Sequence, residues 1–179
     1  KKLHGDGCLA NAVLKLGQSE CNIVHDLCGI TQVAACVLGA HTQELEGLGR
    51  TGRFIINPRR IAVYSVDVSG HGVASAMMTA RLAGLLSGGS PEQNIALTVN
   101  PDGSRSAVPP EEVAFRLNRL MIEDVQVDQY FTMAYAEVDL LSGHLSLVQA
   151  GHPHPLILRQ DGRIDRLGNG GLPIGLIPE

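Results

Sequence analysis

Ile61-Ala62-Val63-Tyr64-Ser65-Val66-Asp67-Val68-Ser69-Gly70-His71-Gly72 is the stretch on which the fold turns. Residues 61 to 66 have the β-branched and aromatic content of a buried strand. From Val73 to Ser87, Ala, Met and Leu recur at helical spacing until Gly88-Gly89 stops the run. An aspartate therefore stands where a strand ends and before a helix begins, followed by glycines that let backbone carbonyls approach a ligand. Hard divalent cations take oxygen ligands, so the block reads as a candidate metal site built on the Asp67 carboxylate. The plainer reading is that Asp67 or Ser69 caps the helix, Gly70 and Gly72 serve a tight turn, and His71 is a surface imidazole.

Downstream, Ser90 to Val108 carries Pro91, Asn94, Asn100, Pro101, Asp102 and Gly103, which predicts a polar excursion with at most a short strand at Ile95 to Val99. Pro109-Pro110-Glu111-Glu112 opens a second helix, since proline and acid both suit a first turn. Val113, Leu117, Leu120 and Met121 then share one face, and the helix ends near Asp124. Thr132 to Leu140 and His144 to Ala150 read as a hairpin about Leu141-Ser142-Gly143, the alternation of Leu145, Leu147 and Gln149 predicting one buried face. A third strand, Pro155 to Arg159, follows Ala150-Gly151-His152-Pro153-His154, and Gln160 to Arg163 turns it into Ile164 to Leu167. This part of the chain reads as a largely antiparallel meander.

Upstream the character changes. Every aromatic residue follows residue 53, whereas Cys8, Cys21, Cys28 and Cys36 all precede it. Residues 1 to 53 show neither helical nor strand periodicity beyond a weak apolar run from Leu27 to Ala40, and they are left unassigned. That run is too short to cross a bilayer, which takes about 20 apolar residues. Val33-Ala34-Ala35-Cys36 has the small-residue look of a lipoprotein processing site, but His25 and Asp26 interrupt the segment before it. The cysteines form no Cys-x-x-Cys pair, so reduced thiols in a cytoplasmic protein are the expectation.

With 179 residues, 44% hydrophobic and 18% charged, the chain is long enough to bury one sizeable core. A formal net charge of -4 and the lack of a long basic run exclude nucleic acid as the main partner, because phosphate binding needs concentrated positive charge. Arg50, Arg53, Arg59 and Arg60 make a local basic cluster, read as a solvated loop face.

Four blocks in order carry a resemblance: Asp67 to Gly72, Tyr130-Phe131-Thr132-Met133, Ala150-Gly151-His152-Pro153-His154-Pro155, and Gly171-Leu172-Pro173-Ile174-Gly175-Leu176. From about Phe54 to Glu179 the chain resembles the metal-dependent PPM-type (type 2C) serine/threonine phosphatases, in the bacterial branch typified by sporulation protein E and RsbU. The resemblance implies an α+β fold, a four-layer αββα sandwich of two mainly antiparallel sheets flanked by helices, with a two-metal centre at one edge. It implies Mn²⁺ or Mg²⁺ as cofactors and attack of a metal-activated water on phosphoserine or phosphothreonine.

Carried over by position, Asp67 matches the catalytic aspartate that bridges the metals, and the backbone carbonyl of Val68 matches the ligand after it. Ser69, Gly70, His71, Gly72 and His152 match positions that shape or surround the centre. The implied partner is a phosphorylated regulatory protein of the anti-sigma-factor antagonist type, with an upstream sensor or receiver domain in the parent chain and no membrane contact.

The chain also departs from the pattern. Where the family carries a Gly-Gly-Asp motif on the preceding strand, this sequence has Gly47-Leu48-Gly49-Arg50-Thr51-Gly52, with no carboxylate. The later metal-binding aspartates of the family are absent as well, so the domain reads as incomplete at its C-terminus. Two readings of residues 1 to 53 stay open, a divergent extension or an out-of-frame segment. Codons for Gly-Leu-Gly-Arg-Thr shifted by one nucleotide can spell Asp-Leu-Val-Gly. The alternative to an active phosphatase is a pseudophosphatase or truncated fragment serving as a protein-binding signalling module. Gly168-Asn169-Gly170-Gly171 is weighed as a nucleotide-cradling loop, but it lacks the lysine and following helix of a phosphate loop.

Overall fold

The computed structural model describes residues 13–14, 34–35, 49–124, 129–159 and 161–178. In chain order the elements are β1 (Val13–Leu14), β2 (Ala34–Ala35), β3 (Gly49–Asn57), β4 (Arg60–Val68), α1 (Val73–Leu85), β5 (Leu97–Val99), β6 (Arg105–Ala107), α2 (Pro110–Asp124), β7 (Phe131–Asp139), β8 (Leu145–Ala150), β9 (Leu156–Leu158) and β10 (Ile164–Arg166). The principal sheet has the order β3-β4-β7-β8, antiparallel throughout. A second sheet has the order β10-β9-β1-β2, and β5 with β6 makes a separate ribbon. The α+β class and the antiparallel sheets expected from the sequence are present.

Strands β4 and β7 lie at the middle of the principal sheet; Ala62 to Val66 and Val68 of β4 are buried, as is every residue of β7 except Thr132. Alternation assigns the faces. Tyr64, Val66 and Val68 of β4, with Phe131, Met133 and Tyr135 of β7, pack with Met78 and Leu82 of α1, Leu86 just beyond it, and Val113, Leu117 and Met121 of α2. The opposite face presents Val63, Ala134, Ala136, Leu145 and Leu147, which line a small gap with Pro155, Leu156, Ile157 and Leu167. One face of the principal sheet is thus covered by helices and the other by β9 and its flanking residues.

Two sequence expectations change here. The alternation in the hairpin predicts one buried face, yet Gln149 on one side and Ala150 on the other are both buried, because layers lie on both sides of the sheet. The meander also breaks. β9 pairs with β10 and β1, not with β8. Between β8 and β9 the chain runs through Pro153 and Pro155, which have no N–H for a ladder, and it crosses to the second sheet there.

The other differences are local. β3 begins at Gly49, so residues 49–53, which show no periodicity of their own, are strand by virtue of pairing with Ser65, Val66 and Asp67 among others. The polar excursion forms a two-stranded ribbon, its turn held by Asn100 side-chain bonds to Ser104 and Ser106. The helix at Pro110 starts and ends where its proline, acids and apolar stripe place it. Except for β1 and β2, the expectations on residues 1–48 lie outside the described residues, and so does Gln160 in the expected Gln160–Arg163 turn.

Candidate active site

At the end of β4, Asp67 stands directly opposite Gly49 of β3 on one side and Thr132 of β7 on the other. Its side chain lies on the face that looks toward the second sheet, since it alternates with the helix-facing Val66 and Val68. The residue is exposed, and among the described residues its carboxylate has no hydrogen-bond or ion-pair partner. An aspartate left free at the rim of a packed sheet is available to a ligand from solvent.

The turn after it is fixed from several directions. The Ser69 N–H donates to the Tyr130 carbonyl at 2.9 Å, and the Tyr130 N–H donates to Ser69 Oγ at 3.0 Å. Buried Ser75 donates through its hydroxyl to the Ser69 carbonyl at 3.0 Å and accepts from Gln129 Nε2 at 3.2 Å. Gly72 is the residue before α1, with φ 82° and ψ −160°, a conformation essentially reserved for glycine. Its carbonyl accepts the Ala76 N–H at 3.1 Å, and no side chain caps the helix. The plainer reading of Asp67 or Ser69 as a helix cap therefore fails: Ser69 clamps Tyr130, just before β7, and Asp67 is left unengaged among the described residues. Gly70 also has positive φ, and His71 is exposed on the loop.

His152 arrives beside this rim from the end of β8. Its Nδ1 lies 2.8 Å from Thr132 Oγ1, and its carbonyl accepts Gln149 Nε2 at 2.5 Å. The ring is buried, and Nε2 has no hydrogen-bond partner among the described residues. Burial pushes the imidazole pKa down, with the charge of Asp67 acting in the opposite direction. His154 is different. Its Nδ1 donates to the Leu167 carbonyl at 2.9 Å, tying the chain before β9 to the residue after β10.

Two of the remaining sequence blocks are structural. The Gly168–Gly171 loop is occupied by Gln149, whose Oε1 accepts the Gly170 N–H at 2.8 Å, and a Cβ at Gly171 would run into the Gln149 carbonyl oxygen. The glycines there admit a side chain of the protein itself, which leaves no cradle for a nucleotide. Ile174 exchanges backbone hydrogen bonds with Phe131 at 2.8 and 3.0 Å, and the Gly175 N–H donates to Asn118 Oδ1 at 2.8 Å. The Gly171–Leu176 block is thus a strap joining the start of β7 to α2.

Sequence reasoning finds Thr132 only as part of a strand entry and assigns no role to Gln149 or Glu137. Register is needed to bring Thr132 opposite Asp67. Glu137 does carry a signal, as a lone carboxylate inside the apolar Ala134 to Val138 run.

The fit to a divalent-metal centre is partial. Among the described residues no group of three His, Cys, Asp or Glu side chains converges. Asp67 and the Val68 carbonyl supply two oxygens where such ions take six or more, so these residues alone do not make a two-metal site. Gly49 occupies the position across from Asp67, consistent with the missing upstream carboxylate. No helix among the described residues is long and apolar enough to cross a membrane.

Comparison with known proteins agrees with the motif blocks. The family profile described as Stage II sporulation protein E (SpoIIE) matches residues 57–179. "Phosphoserine phosphatase RsbP" of Bacillus subtilis (strain 168) is 27% identical over 128 residues, covering 72% of this chain and 29% of the relative. The chain therefore spans under a third of that relative's length. In fold, it is similar to the PP2C phosphatase domain and regulatory-domain fragment of the cell-fate determinant SpoIIE from Bacillus subtilis. That match has a TM-score of 0.56 and 17% identity, covering 75% of this chain and 36% of the other. With the free aspartate, glycine turn and strap in the order the resemblance requires, the chain belongs to the SpoIIE family and shares the PPM-type phosphatase fold.

Proposed function

We propose that the chain, from about residue 54 onward, is the phosphatase unit of a protein serine/threonine phosphatase that hydrolyses phosphoserine or phosphothreonine. The observation that carries this reading is the exposed Asp67 at the rim of β4, unpartnered among the described residues, in a family whose relative is named a phosphoserine phosphatase. In this proposal Asp67 and the Val68 carbonyl contribute to a Mn²⁺ or Mg²⁺ site that requires further oxygen ligands beyond these two. Ser69, Gly70 and Gly72 hold the turn that sets both groups at the sheet edge, and His71 lies on the open side of the same turn. The substrate is a phosphorylated regulatory protein of the anti-sigma-factor antagonist type, with a sensor or receiver domain preceding the phosphatase unit. The setting is the cytoplasm.

One observation favours a second reading. Among the described residues no group of three His, Cys, Asp or Glu side chains converges at the rim, which suits a pseudophosphatase that binds a partner without hydrolysis. Manganese-dependent hydrolysis of p-nitrophenyl phosphate and of a phosphoserine peptide separates the two. Turnover by the wild-type chain that falls at least about a hundredfold in Asp67→Ala supports the enzyme, since removal of an electrostatic catalytic group costs on that order. Retention of wild-type turnover in Asp67→Ala refutes the assignment of Asp67. A well-folded chain with no manganese-dependent turnover leaves the binding module.

A further inference from the structure

We propose that the Asn169-Gly170 step is a site of spontaneous deamidation, and that Gln149 sets its rate by holding the attacking nitrogen. This inference lies outside the phosphatase reading and does not depend on it. In the reaction the Gly170 nitrogen gives up its proton to solvent and bonds to Asn169 Cγ, while the Cγ–Nδ2 bond breaks and Nδ2 leaves as ammonia. Water then opens the five-membered imide. Attack at Cγ gives aspartate, and attack at the main-chain carbonyl carbon gives isoaspartate, in which the backbone runs through the side chain. One water is consumed and one ammonia released, with no oxidant or reductant involved.

Chemistry singles out this step among the described asparagines. Asn57 and Asn100 precede Pro58 and Pro101, whose nitrogens have no proton to lose. Asn94 is buried, and its side chain both donates to the Ser87 carbonyl and accepts the Ala96 N–H. Asn118 lies within α2 with its amide bound at both ends, to Ile177 and Gly175. Asp102-Gly103 and Asp161-Gly162 offer the same glycine, but a carboxylate has no ammonia to release, and each is engaged by the N–H two residues on. Asn169, in the loop after β10, is exposed, and its amide has no hydrogen-bond partner among the described residues. Gly170 has no side chain to shield its nitrogen, and nothing lies within 4 Å of where a Cβ would stand.

The brake is a single hydrogen bond. The Gly170 N–H donates to Gln149 Oε1 at 2.8 Å, so the proton that must leave is the one Gln149 binds. Gln149 is itself held. It is buried in β8, its Nε2 donates to the His152 carbonyl, and a Cβ at Gly168 would already run into its side chain. Attack therefore waits for the loop to open locally, and the population of that opening scales the rate. The product acts back on the same contacts. Isoaspartate adds a carbon to the main chain between residues 169 and 170, which displaces the Gly170 N–H from Gln149, the residue that anchors the His152 backbone.

The test is peptide mapping by mass spectrometry, with isoaspartate detection, of protein aged at mildly alkaline pH beside a synthetic peptide of residues 166–172. Asn169 should convert ahead of Asn57, Asn94, Asn100 and Asn118, at a rate at least about tenfold below that of the peptide. Gln149→Leu, shown to be folded by circular dichroism, should close most of that gap. Conversion of another of these asparagines first, equal rates in protein and peptide, or an unchanged rate in Gln149→Leu overturns the proposal. Hydrogen exchange at the Gly170 amide is the second measurement, made on the wild type and so independent of whether the variant folds. Exchange and deamidation both require the same proton to leave Gln149, so their slowing relative to the peptide should agree within about threefold. A Gly170 amide that exchanges as freely as in the peptide, or slowing factors that disagree by more than this, overturns the role of Gln149.

Discussion

Glu137→Gln should make the protein more stable at alkaline pH. Glu137 sits on the helix-facing side of β7, opposite Ala62 of β4 and Ser146 of β8, and is 8% exposed. Its Oε1 has no hydrogen-bond partner among the described residues, and neither has the buried Tyr135 hydroxyl, two residues away on the same face. The charged groups acting on it are Arg60 at the start of β4 and Glu111 in the first turn of α2. Burial pushes the carboxyl up to about 7, with Arg60 opposing and Glu111 adding to the rise.

The sign follows from linkage. Between the unfolded carboxyl value near 4.3 and the folded value, the native state holds a proton that the unfolded state has released, so stability falls as pH rises through that window. At about 1.4 kcal/mol for each pH unit, the total loss by pH 8 is at most roughly 4 kcal/mol, of which about 2–3 kcal/mol falls between pH 5 and pH 8. A glutamine amide at this position mimics the protonated acid and does not titrate. Urea unfolding of both proteins at pH 5 and pH 8 measures the difference. The variant should match the wild type within about 1 kcal/mol at pH 5, where both folded-state side chains are neutral, and exceed it by about 2–3 kcal/mol at pH 8. Parallel stability curves over this range would refute the claim that a buried, unpaired carboxyl is held there.

Gly72→Ala should destabilise by about 1–3 kcal/mol in the same assay, because alanine is strained at φ 82° and ψ −160°, while the space around the added Cβ is open and no steric clash contributes. Asp139 accepts from Arg59 Nε at 2.8 Å and from the N–H groups of Leu141 and Ser142, which hold its carboxyl well below the usual range. Its stabilisation is present above the unfolded carboxyl value and is lost as pH falls below it, so Asp139→Asn should flatten the acid limb of the stability curve between about pH 4 and pH 2. An unchanged acid limb would contradict the ion pair.

Much of the local structure was legible in the chain. The Ile61–Val66 run, the glycine turn and the small-residue helix after it are set by side-chain size, β-branching and the steric demands of positive φ, all of which act within a few residues. The start of α2 was legible for the same reason, since Pro110, Glu111 and Glu112 suit the first turn whatever the rest of the molecule does. Asp67 was legible as a carboxylate at a strand end, and the order of the four motif blocks was enough to place the family.

What remained hidden depends on pairing between distant segments. Residues 49–53 have no strand pattern of their own and become strand because β4 offers them an edge. The crossing of β9 to the second sheet is absent from the alternation of Leu156 to Leu158, since a strand looks alike in either sheet. Thr132 and His152 were visible only as letters in two motifs; register and the exit from β8 bring them together beside Asp67. The amino-acid order by itself determined the local conformations and the chemical character of the rim, because short-range sterics and residue chemistry decide those. Only the tertiary structure decided which face each side chain takes and which neighbours it meets, because long-range pairing and the layers on each side of the sheet are what fix register and burial.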